Sequence, residues 1–272
     1  MPLCRYCGKP TKSILSFAHP ECVETFKKGE RQARDLLAKA FESFDLEKLS
    51  IAQQVAQQAL VGEKGFSHLI SQFLPKAIER ALEDHLLTDD EATFLHKANQ
   101  LLTKEDARKI SSALDQLNKA TILLYLNRGN IPTVSIQGSL PFLLQKEERP
   151  IWVEENIGLY EYKSEKEYLS SGTGVSVRIA KGVYIRSSQY RTRQVITKER
   201  LHLVDKGILL ITDKHFYFGG TKKIRRFSLH KIIGLRLYKD AVELHLDGTK
   251  PQVWIVTTND PKFLANLINF LQ

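Results

Sequence analysis

The sequence predicts an α+β protein made of three successive parts: a metal-binding module, a helical bundle and a small β-barrel capped by a C-terminal helix. Three observations predict this order. All three cysteines lie within the first 22 of the 272 residues. Apolar residues then recur at three- and four-residue steps to about residue 128, which is typical of amphipathic helices. After about residue 150 the pattern changes to short β-branched and aromatic runs, and a final apolar stripe predicts one more helix.

The N-terminal cysteines and one histidine form two pairs of potential metal ligands. Cys4 and Cys7 enclose two residues, and His19 and Cys22 form a second pair with the same spacing. Four donors of this kind suit a tetrahedral structural zinc ion and leave no coordination position for a substrate. The arrangement resembles a treble-clef finger over about 25 residues. The alternatives are unliganded cysteines or a redox pair, but a redox pair normally follows an apolar strand, and only three residues precede Cys4.

The positive charge of the chain is concentrated in its C-terminal part. The net charge is +9, yet residues 175–272 contain 18 Lys and Arg against 7 Asp and Glu, and the remainder has 22 against 24. Such an excess favours anionic partners, namely phospholipid headgroups, nucleic acid or an acidic protein surface. A merely solvating surface is the plain alternative.

Neither a secretory leader nor a membrane span is expected. No apolar h-region follows the N-terminus, and the longest uncharged stretch, residues 129–145, contains two prolines. Zinc ligation would use every cysteine, so a disulfide framework is not expected, which fits a reducing cytoplasm.

Residues 20–128 are predicted to form a small helical bundle. Thr88 with Glu91 and Thr103 with Asp106 have the spacing of capping boxes, and Gly129 is a plausible C-cap. Seven-residue spacing also allows a coiled-coil dimer, but about three repeats favour bundle packing. The predicted boundaries are residues 1–28 for the finger, 29–129 for the helical region, 130–149 for a Pro- and Gly-containing linker, and 150–272 for the barrel.

The barrel is predicted from many short strands followed by one helix. Asp260-Pro261 opens that helix, with Asp260 or Asn259 as the N-cap and Pro261 in the first turn. The predicted strands are residues 152–153, 157–162, 175–179, 183–185, 208–212, 215–218, 232–238, 241–246 and 253–256.

The segment Gly207–Gly220 predicts two strands joined by a tight turn at Asp213-Lys214. With the run 224–232 after it, this segment resembles the signature hairpin of GRAM and bacterial pleckstrin-homology-like domains. The resemblance covers about residues 145–272. It implies a seven-stranded, helix-capped PH-like barrel that binds lipids or proteins and catalyses nothing. Asp213 stands where the family usually has asparagine, and His215 where it usually has arginine.

Two basic clusters in this region are candidate anion contacts. Lysine and arginine in loops at a barrel mouth can hold headgroup phosphates, although exposed basic hairpins are also common without a ligand. The first cluster follows the Gly219-Gly220 turn and the second lies upstream of it. Their members are Lys222, Lys223, Arg225 and Arg226 in the first, and Arg186, Arg191, Arg193, Lys198 and Arg200 in the second.

Motifs for catalysis are absent from the sequence. It contains no Gly-rich phosphate loop, no His-Glu-x-x-His and no Gly-x-Ser-x-Gly. His68, His85 and His96 have acidic neighbours, but surface or half-buried histidines beside helix caps are a simpler interpretation than a second metal site. We therefore expect a protein that is not an enzyme.

The leading hypothesis is a cytoplasmic bacterial adaptor, peripheral at the inner membrane face. Its finger and bundle would contact protein, and its barrel would bind an anionic membrane surface or a protein partner. One alternative is a nucleic-acid-binding protein that uses the finger and the basic barrel; another is a purely protein-binding module. Against nucleic acid, the basic and acidic residues at the start of the helix predicted from about Pro20 are equal in number. They are Lys27, Lys28, Arg31 and Arg34 against Glu21, Glu24, Glu30 and Asp35.

Overall fold

The chain forms two compact units, Met1–Pro132 and Thr133–Gln272. In the described part of the chain, no helix combines the length and the apolar character needed to cross a bilayer. The computed structural model describes residues 2–12, 16–83, 87–136, 140–169, 176–180, 183–186, 194–248 and 252–272.

Helices make up most of the first unit. Thr88 accepts a hydrogen bond from the backbone N–H of Glu91, whose carboxylate accepts one from the backbone N–H of Thr88, which confirms the predicted capping box. Thr103 likewise caps the next helix. The described helices are α1 (Pro20–Ser43), α2 (Leu46–Gln58), α3 (Glu63–Ala81), α4 (Asp89–Gln100), α5 (Lys104–Lys109) and α6 (Ser111–Asn127).

One apolar core holds these helices together. It begins at Ala33 on α1 and continues through α3 and α4 to Leu117 on α6. Phe41 and Phe94 meet edge to face, with their ring centroids 5.1 Å apart. By contrast, only Cys4 and Thr11 are buried among the described residues 2–12 and 16–22. The N-terminal module therefore has almost no apolar core of its own.

The second unit is built on an antiparallel sheet of seven strands in the order β6-β5-β4-β1-β9-β8-β7. β2 and β3 form a separate two-stranded ladder between β1 and β4 in the chain. The strands are β1 (Pro150–Leu169), β2 (Ser176–Ala180), β3 (Val183–Arg186), β4 (Gln194–Thr212), β5 (His215–Gly220), β6 (Ile224–Ser228), β7 (Ile232–Leu237), β8 (Ala241–Leu246) and β9 (Gln252–Thr257).

The prediction of short strands is wrong for β1 and β4, which have 20 and 19 residues. Their ladder contains register shifts, one of them between Glu154 and Ile157, where Asn156 has a φ of 61°. A bulge places two residues opposite one and interrupts the alternation of apolar and polar side chains. The sequence therefore shows several short runs where the backbone forms one long strand.

The sheet is open, whereas the sequence predicted a closed barrel. β6 and β7 are its edges, and among the described residues no ladder joins them; a 3₁₀ turn, Leu229–Lys231, connects them instead. The last helix, α7 (Pro261–Leu271), packs against β7 and β8, and Asp260 accepts a hydrogen bond from the backbone N–H of Phe263. This α+β arrangement, with its C-terminal helix, is consistent with a pleckstrin-like fold.

Residues 140–149, here called the strap, belong to the segment predicted as a linker but pack in the second unit, which begins at Thr133. Phe142 stacks on Tyr217 with ring centroids 5.0 Å apart. At Gly219 a Cβ atom would lie 2.2 Å from Pro141 Cγ, so only glycine lets the strap approach the strand this closely. The strap is thus part of the sheet unit.

Candidate metal centre and cationic surfaces

The four predicted metal ligands lie together. The sulfur atoms of Cys4, Cys7 and Cys22 and one ring nitrogen of His19 are all within 4.8 Å of one another. His19 Nδ1 is 3.4 Å from Cys7 Sγ and 3.8 Å from Cys22 Sγ. This spacing is compatible with four ligands around one metal ion.

A tight hairpin positions the first pair of ligands. The backbone N–H of Cys4 donates to Lys9 O over 2.8 Å, and the N–H of Gly8 donates to Cys4 O over 2.8 Å. Gly8 has a φ of 69°, a left-handed conformation that glycine adopts without steric cost. The hairpin thereby turns Cys4 and Cys7 toward the same side.

The start of α1 positions the second pair. His19 is the N-cap residue, Pro20 occupies the first turn, and Cys22 follows one turn into the helix. The backbone N–H of Arg5 donates to Phe17 O over 2.9 Å. This bond joins the hairpin to the segment that leads into α1, so both pairs meet.

The ring of His19 is oriented for coordination through Nδ1. Its Nε2 lies 3.1 Å from the carbonyl oxygen of Pro10. A carbonyl oxygen can only accept, so Nε2 carries the proton and donates. The lone pair of Nδ1 then faces the sulfurs of Cys7 and Cys22. A backbone carbonyl that fixes the tautomer in this way is the usual outer partner of a metal-bound histidine.

The thiols differ in acidity because their surroundings differ. Burial raises the pKa of Cys4, but backbone N–H groups of Cys7, His19 and Tyr6 outweigh it and lower the pKa to about 6. Burial, together with hydrogen bonds and charge repulsion from Cys7 and Cys4, raises the pKa of Cys22 to about 11. Neighbouring thiolates repel each other, and a dication would remove that repulsion. Three thiolates and an imidazole suit zinc in particular.

The first predicted anion cluster is divided by the fold. Lys222 and Lys223 are exposed in the turn between β5 and β6. Arg225 and Arg226 are neighbours on β6, so their side chains leave opposite faces of the strand. The guanidinium of Arg225 lies over the ring of Trp254, 5.4 Å from its centroid, while Arg226 is exposed. The turn lysines therefore form the compact part of the cluster.

The second predicted cluster is described only in part. Arg191 and Arg193 lie outside the described residues. Arg186 belongs to β3, and Lys198 and Arg200 belong to β4.

A buried carboxylate, Asp205, fixes the turn between β5 and β6. It accepts hydrogen bonds from the backbone N–H groups of Lys222 and Lys223 over 2.5 and 2.9 Å. The N–H of Lys222 is the largest of several causes that lower the pKa of Asp205. At Gly220 a Cβ atom would lie 2.3 Å from the carboxylate, so glycine is required here. Because this internal anion already occupies the backbone donors, an external anion would meet the lysine ammonium groups.

A second buried carboxylate, Glu148 on the strap, gathers a group that sequence reasoning missed. It accepts from Thr212 Oγ1 over 2.5 Å, from Tyr217 Oη over 2.6 Å and from His215 Nδ1 over 2.8 Å. Its side chain is fully buried, so these donors serve to compensate its charge. We call this group the Glu148 anchor.

Two hairpin residues that the sequence singled out, His215 and Asp213, also have partners within the protein. His215 Nδ1 donates to Glu148, and Asp213 accepts from the backbone N–H and Nε of Arg149 over 2.9 and 3.1 Å. Both partners lie on the strap. These residues therefore fasten the strap to the sheet and are engaged within the protein.

His68 and His96, which were considered for a second metal site, do not belong to the Cys/His cluster. In the part of the chain that the structure describes, that cluster is the one group of side chains placed to hold a metal ion. His96 Nε2 is 2.9 Å from Thr121 Oγ1, and His68 Nδ1 is 3.9 Å from an Asp106 oxygen. His85 lies outside the described residues.

Comparison with known proteins gives little further information. No protein-family model and no curated protein matches the sequence. The chain aligns with the crystal structure of N-terminally truncated linker-DH/PH domains of p115-RhoGEF at 10% identity and a TM-score of 0.23, covering 96% of this chain and 75% of that chain. So low a TM-score does not establish a shared fold, whereas the strand order and the C-terminal helix are consistent with a pleckstrin-like fold.

Proposed function

We propose that the protein is a non-enzymatic adaptor that binds anionic membrane surfaces through its second unit. The observation that carries this proposal is the β5–β6 turn, where Asp205 fixes the backbone and leaves the ammonium groups of Lys222 and Lys223 exposed. A fixed turn presents two adjacent cations with little loss of backbone freedom on binding. The C-terminal charge excess supports the same conclusion.

The expected strength of this contact favours peripheral, reversible binding. Each lysine or arginine near an anionic leaflet contributes about 1 kcal/mol, so the two turn lysines and Arg226 would contribute about 3 kcal/mol together. Stable attachment normally requires a second contact, which a protein partner would supply in an adaptor. In this proposal the protein is cytoplasmic and acts at the inner membrane face.

The N-terminal module would hold a structural Zn²⁺ ion through Cys4, Cys7, His19 and Cys22. The supporting observations are the convergence of four donors and the orientation of His19 Nδ1. A bound zinc ion would supply folding free energy and no catalysis, since four protein ligands complete a tetrahedral site.

Metal analysis tests this part of the proposal. We expect about one zinc per chain, and cobalt substitution should give the sulfur-to-cobalt absorption and the visible bands of a tetrahedral site. Absence of zinc, with octahedral cobalt bands, would contradict the assignment.

Co-sedimentation with vesicles tests membrane binding. The protein is mixed with phosphatidylcholine vesicles or with vesicles containing phosphatidylserine, at about 0.05 M and about 0.15 M salt. We expect salt-sensitive binding to the anionic vesicles alone, abolished in Lys222→Glu/Lys223→Glu. The matched control Lys214→Glu/Lys239→Glu reverses two exposed charges in other turns and should retain most of the binding. Equal loss in both variants would point to net charge and would contradict a site at the turn.

A further inference from the structure

A groove of about 1220 Å³ runs beside the metal centre in the first unit. Phe17, Pro20 and Val23 supply apolar lining near the N-terminus of α1, and Lys27, Arg31 and Arg34 supply basic lining farther along that helix. Val23, Lys27, Arg31 and Arg34 follow one another at four- and three-residue steps, so they lie on one face of α1. The groove therefore changes from apolar to cationic along a single helix.

The fold separates charges that cancel in the sequence. Five basic residues line the groove, because Arg5 from the hairpin and Lys28 join the other three, whereas two acidic residues, Glu24 and Glu30, line it. Glu21 and Asp35 on the same helix do not. The equal count of acids and bases on α1 thus conceals a local positive excess.

The cations and the aromatic ring of the groove are available for binding. Within the described chain, Lys27, Lys28 and Arg31 form no ion pair, and all three are exposed. Arg34 donates to the neutral amide oxygen of Gln72 over 2.8 Å. Phe17 is 66% exposed, which is high for a phenylalanine.

We propose that this groove binds an acidic peptide segment that carries one apolar residue. The apolar residue would contact Phe17 and Val23, and carboxylates would pair with Lys27, Arg31 and Arg34. A nucleic-acid strand fits less well, because it carries a phosphate on every nucleotide and would meet Glu24 and Glu30, whereas a peptide can present uncharged residues there. The inference names a partner for the proposed adaptor but does not depend on membrane binding by the second unit.

The helix geometry predicts the spacing of the peptide motif. At 1.5 Å per residue, Lys27, Arg31 and Arg34 lie about 6, about 12 and about 16 Å from Val23 along α1. An extended peptide advances about 3.3 Å per residue. Acidic residues are therefore expected about two, four and five positions from the apolar residue, in one of the two chain directions.

Fluorescence anisotropy with the zinc-loaded full chain tests this inference in the absence of lipid. The probes are two labelled peptides with a leucine and three glutamates at this spacing, one in each direction, the same peptides with serine for leucine, and an oligothymidine strand. We expect one leucine peptide to bind and Arg31→Glu to weaken it by about tenfold. The matched control Lys39→Glu, an exposed position of α1 outside the groove, should stay within about twofold.

Phe17→Ala provides a second variant that leaves every charge in place. It should weaken the leucine peptide but not the serine peptide, since the two changes remove the same contact. Circular dichroism at 222 nm checks that each variant is folded. Failure of both leucine peptides to bind, or equal weakening by Arg31→Glu and Lys39→Glu, would overturn the proposal. Preferential binding of the oligothymidine strand, weakened by Arg31→Glu, would assign the groove to nucleic acid and would also overturn it.

Discussion

The metal centre and the Glu148 anchor both organise irregular backbone around a polar centre, but they obtain the compensating charge differently. At the metal centre, thiol and imidazole donors converge within 4.8 Å, and neighbouring thiolates repel each other unless a cation joins them. At the anchor, a carboxylate converges with hydroxyl and ring N–H donors of the chain itself. On the proposed assignment the first centre would depend on an ion from solution, whereas the second is complete once the chain has folded.

The surroundings of the two centres reinforce this difference. Among residues 2–12 and 16–22 of the N-terminal module, only Cys4 and Thr11 are buried. Around the anchor, Phe216, Tyr217 and Phe218 are buried in β5 and pack with the sheet. Loss of the polar centre should therefore disorder the module but only weaken the sheet unit.

The largest effect is expected from loss of a metal ligand. His19→Asn keeps a good N-cap residue for α1 but removes Nδ1, and zinc affinity should fall by about 100-fold or more. The measurement is zinc retained after dialysis against a competing chelator. The matched control, His230→Asn, changes an exposed histidine of the 3₁₀ turn and should retain wild-type zinc. Full zinc retention in His19→Asn would contradict the assigned ligand set.

Glu148→Gln should have the next largest effect. The amide carries its own donors and cannot satisfy Thr212, Tyr217 and His215 together, so the unfolding free energy of the sheet unit should fall by about 2–4 kcal/mol. Urea unfolding followed by tryptophan fluorescence measures it, since Trp152 and Trp254, the two tryptophans of the chain, both lie in this unit.

The control for this change is the adjacent Glu147→Gln. Glu147 is exposed, so its substitution should alter the unfolding free energy by less than about 0.5 kcal/mol. If the two variants had equal stability, the anchor would not be the structural centre described above.

The anchor also predicts a direction of pH dependence. Burial raises the pKa of Glu148, but hydrogen bonds from Thr212, Tyr217, the Gln145 backbone and His215 outweigh it, so the pKa lies below its usual value of 4.5. A carboxyl with a lowered pKa stabilises the folded state above its unfolded pKa, and this contribution disappears as the pH falls through the folded pKa. Wild-type stability should therefore decline below about pH 4.5 more steeply than that of Glu148→Gln. Parallel curves from urea midpoints across pH would contradict the prediction.

Asp205→Asn should have the smallest effect. Its amide retains one acceptor oxygen for the turn N–H groups but loses the charge, so we expect a small loss of stability and a loss of a few-fold in binding to anionic vesicles. Asp240→Asn, at an exposed turn, is the control and should change neither quantity. A larger loss of vesicle binding than in Lys222→Glu/Lys223→Glu would indicate that Asp205 does more than hold the turn.

The two centres also show which parts of a site can be predicted from sequence. The metal ligands come from two short segments of characteristic residue types, so spacing alone brings Cys4, Cys7, His19 and Cys22 to attention. Glu148 and Tyr217 are 69 positions apart, and nothing in the local pattern around either residue marks the contact. Helix caps such as Thr88 were predictable for the same reason as the metal ligands, because a capping box spans only four residues.

The strand errors have a related cause. Periodicity indicates which face of a strand is buried, but a bulge changes that face within one strand. The pattern therefore predicts two strands on either side of Asn156, where the structure has β1 alone. Closure of the sheet was not predictable either, since β6 and β7 are consecutive strands that lie at opposite edges. The same local pattern of strands and turns is compatible with an open sheet and with a closed barrel.

Hydrogen–deuterium exchange with and without zinc tests the contrast between the two centres most directly. One sample reports both, through the hydrogen-bonded amides of Cys4, Arg5 and Gly8 in the module and of Lys214 and His215 beside the anchor. We predict that zinc removal greatly accelerates exchange in residues 2–12 and 16–22 and leaves residues 145–149 and 212–217 protected. Unchanged exchange in the module on zinc removal would contradict the claim that the Cys/His cluster is a structural zinc site.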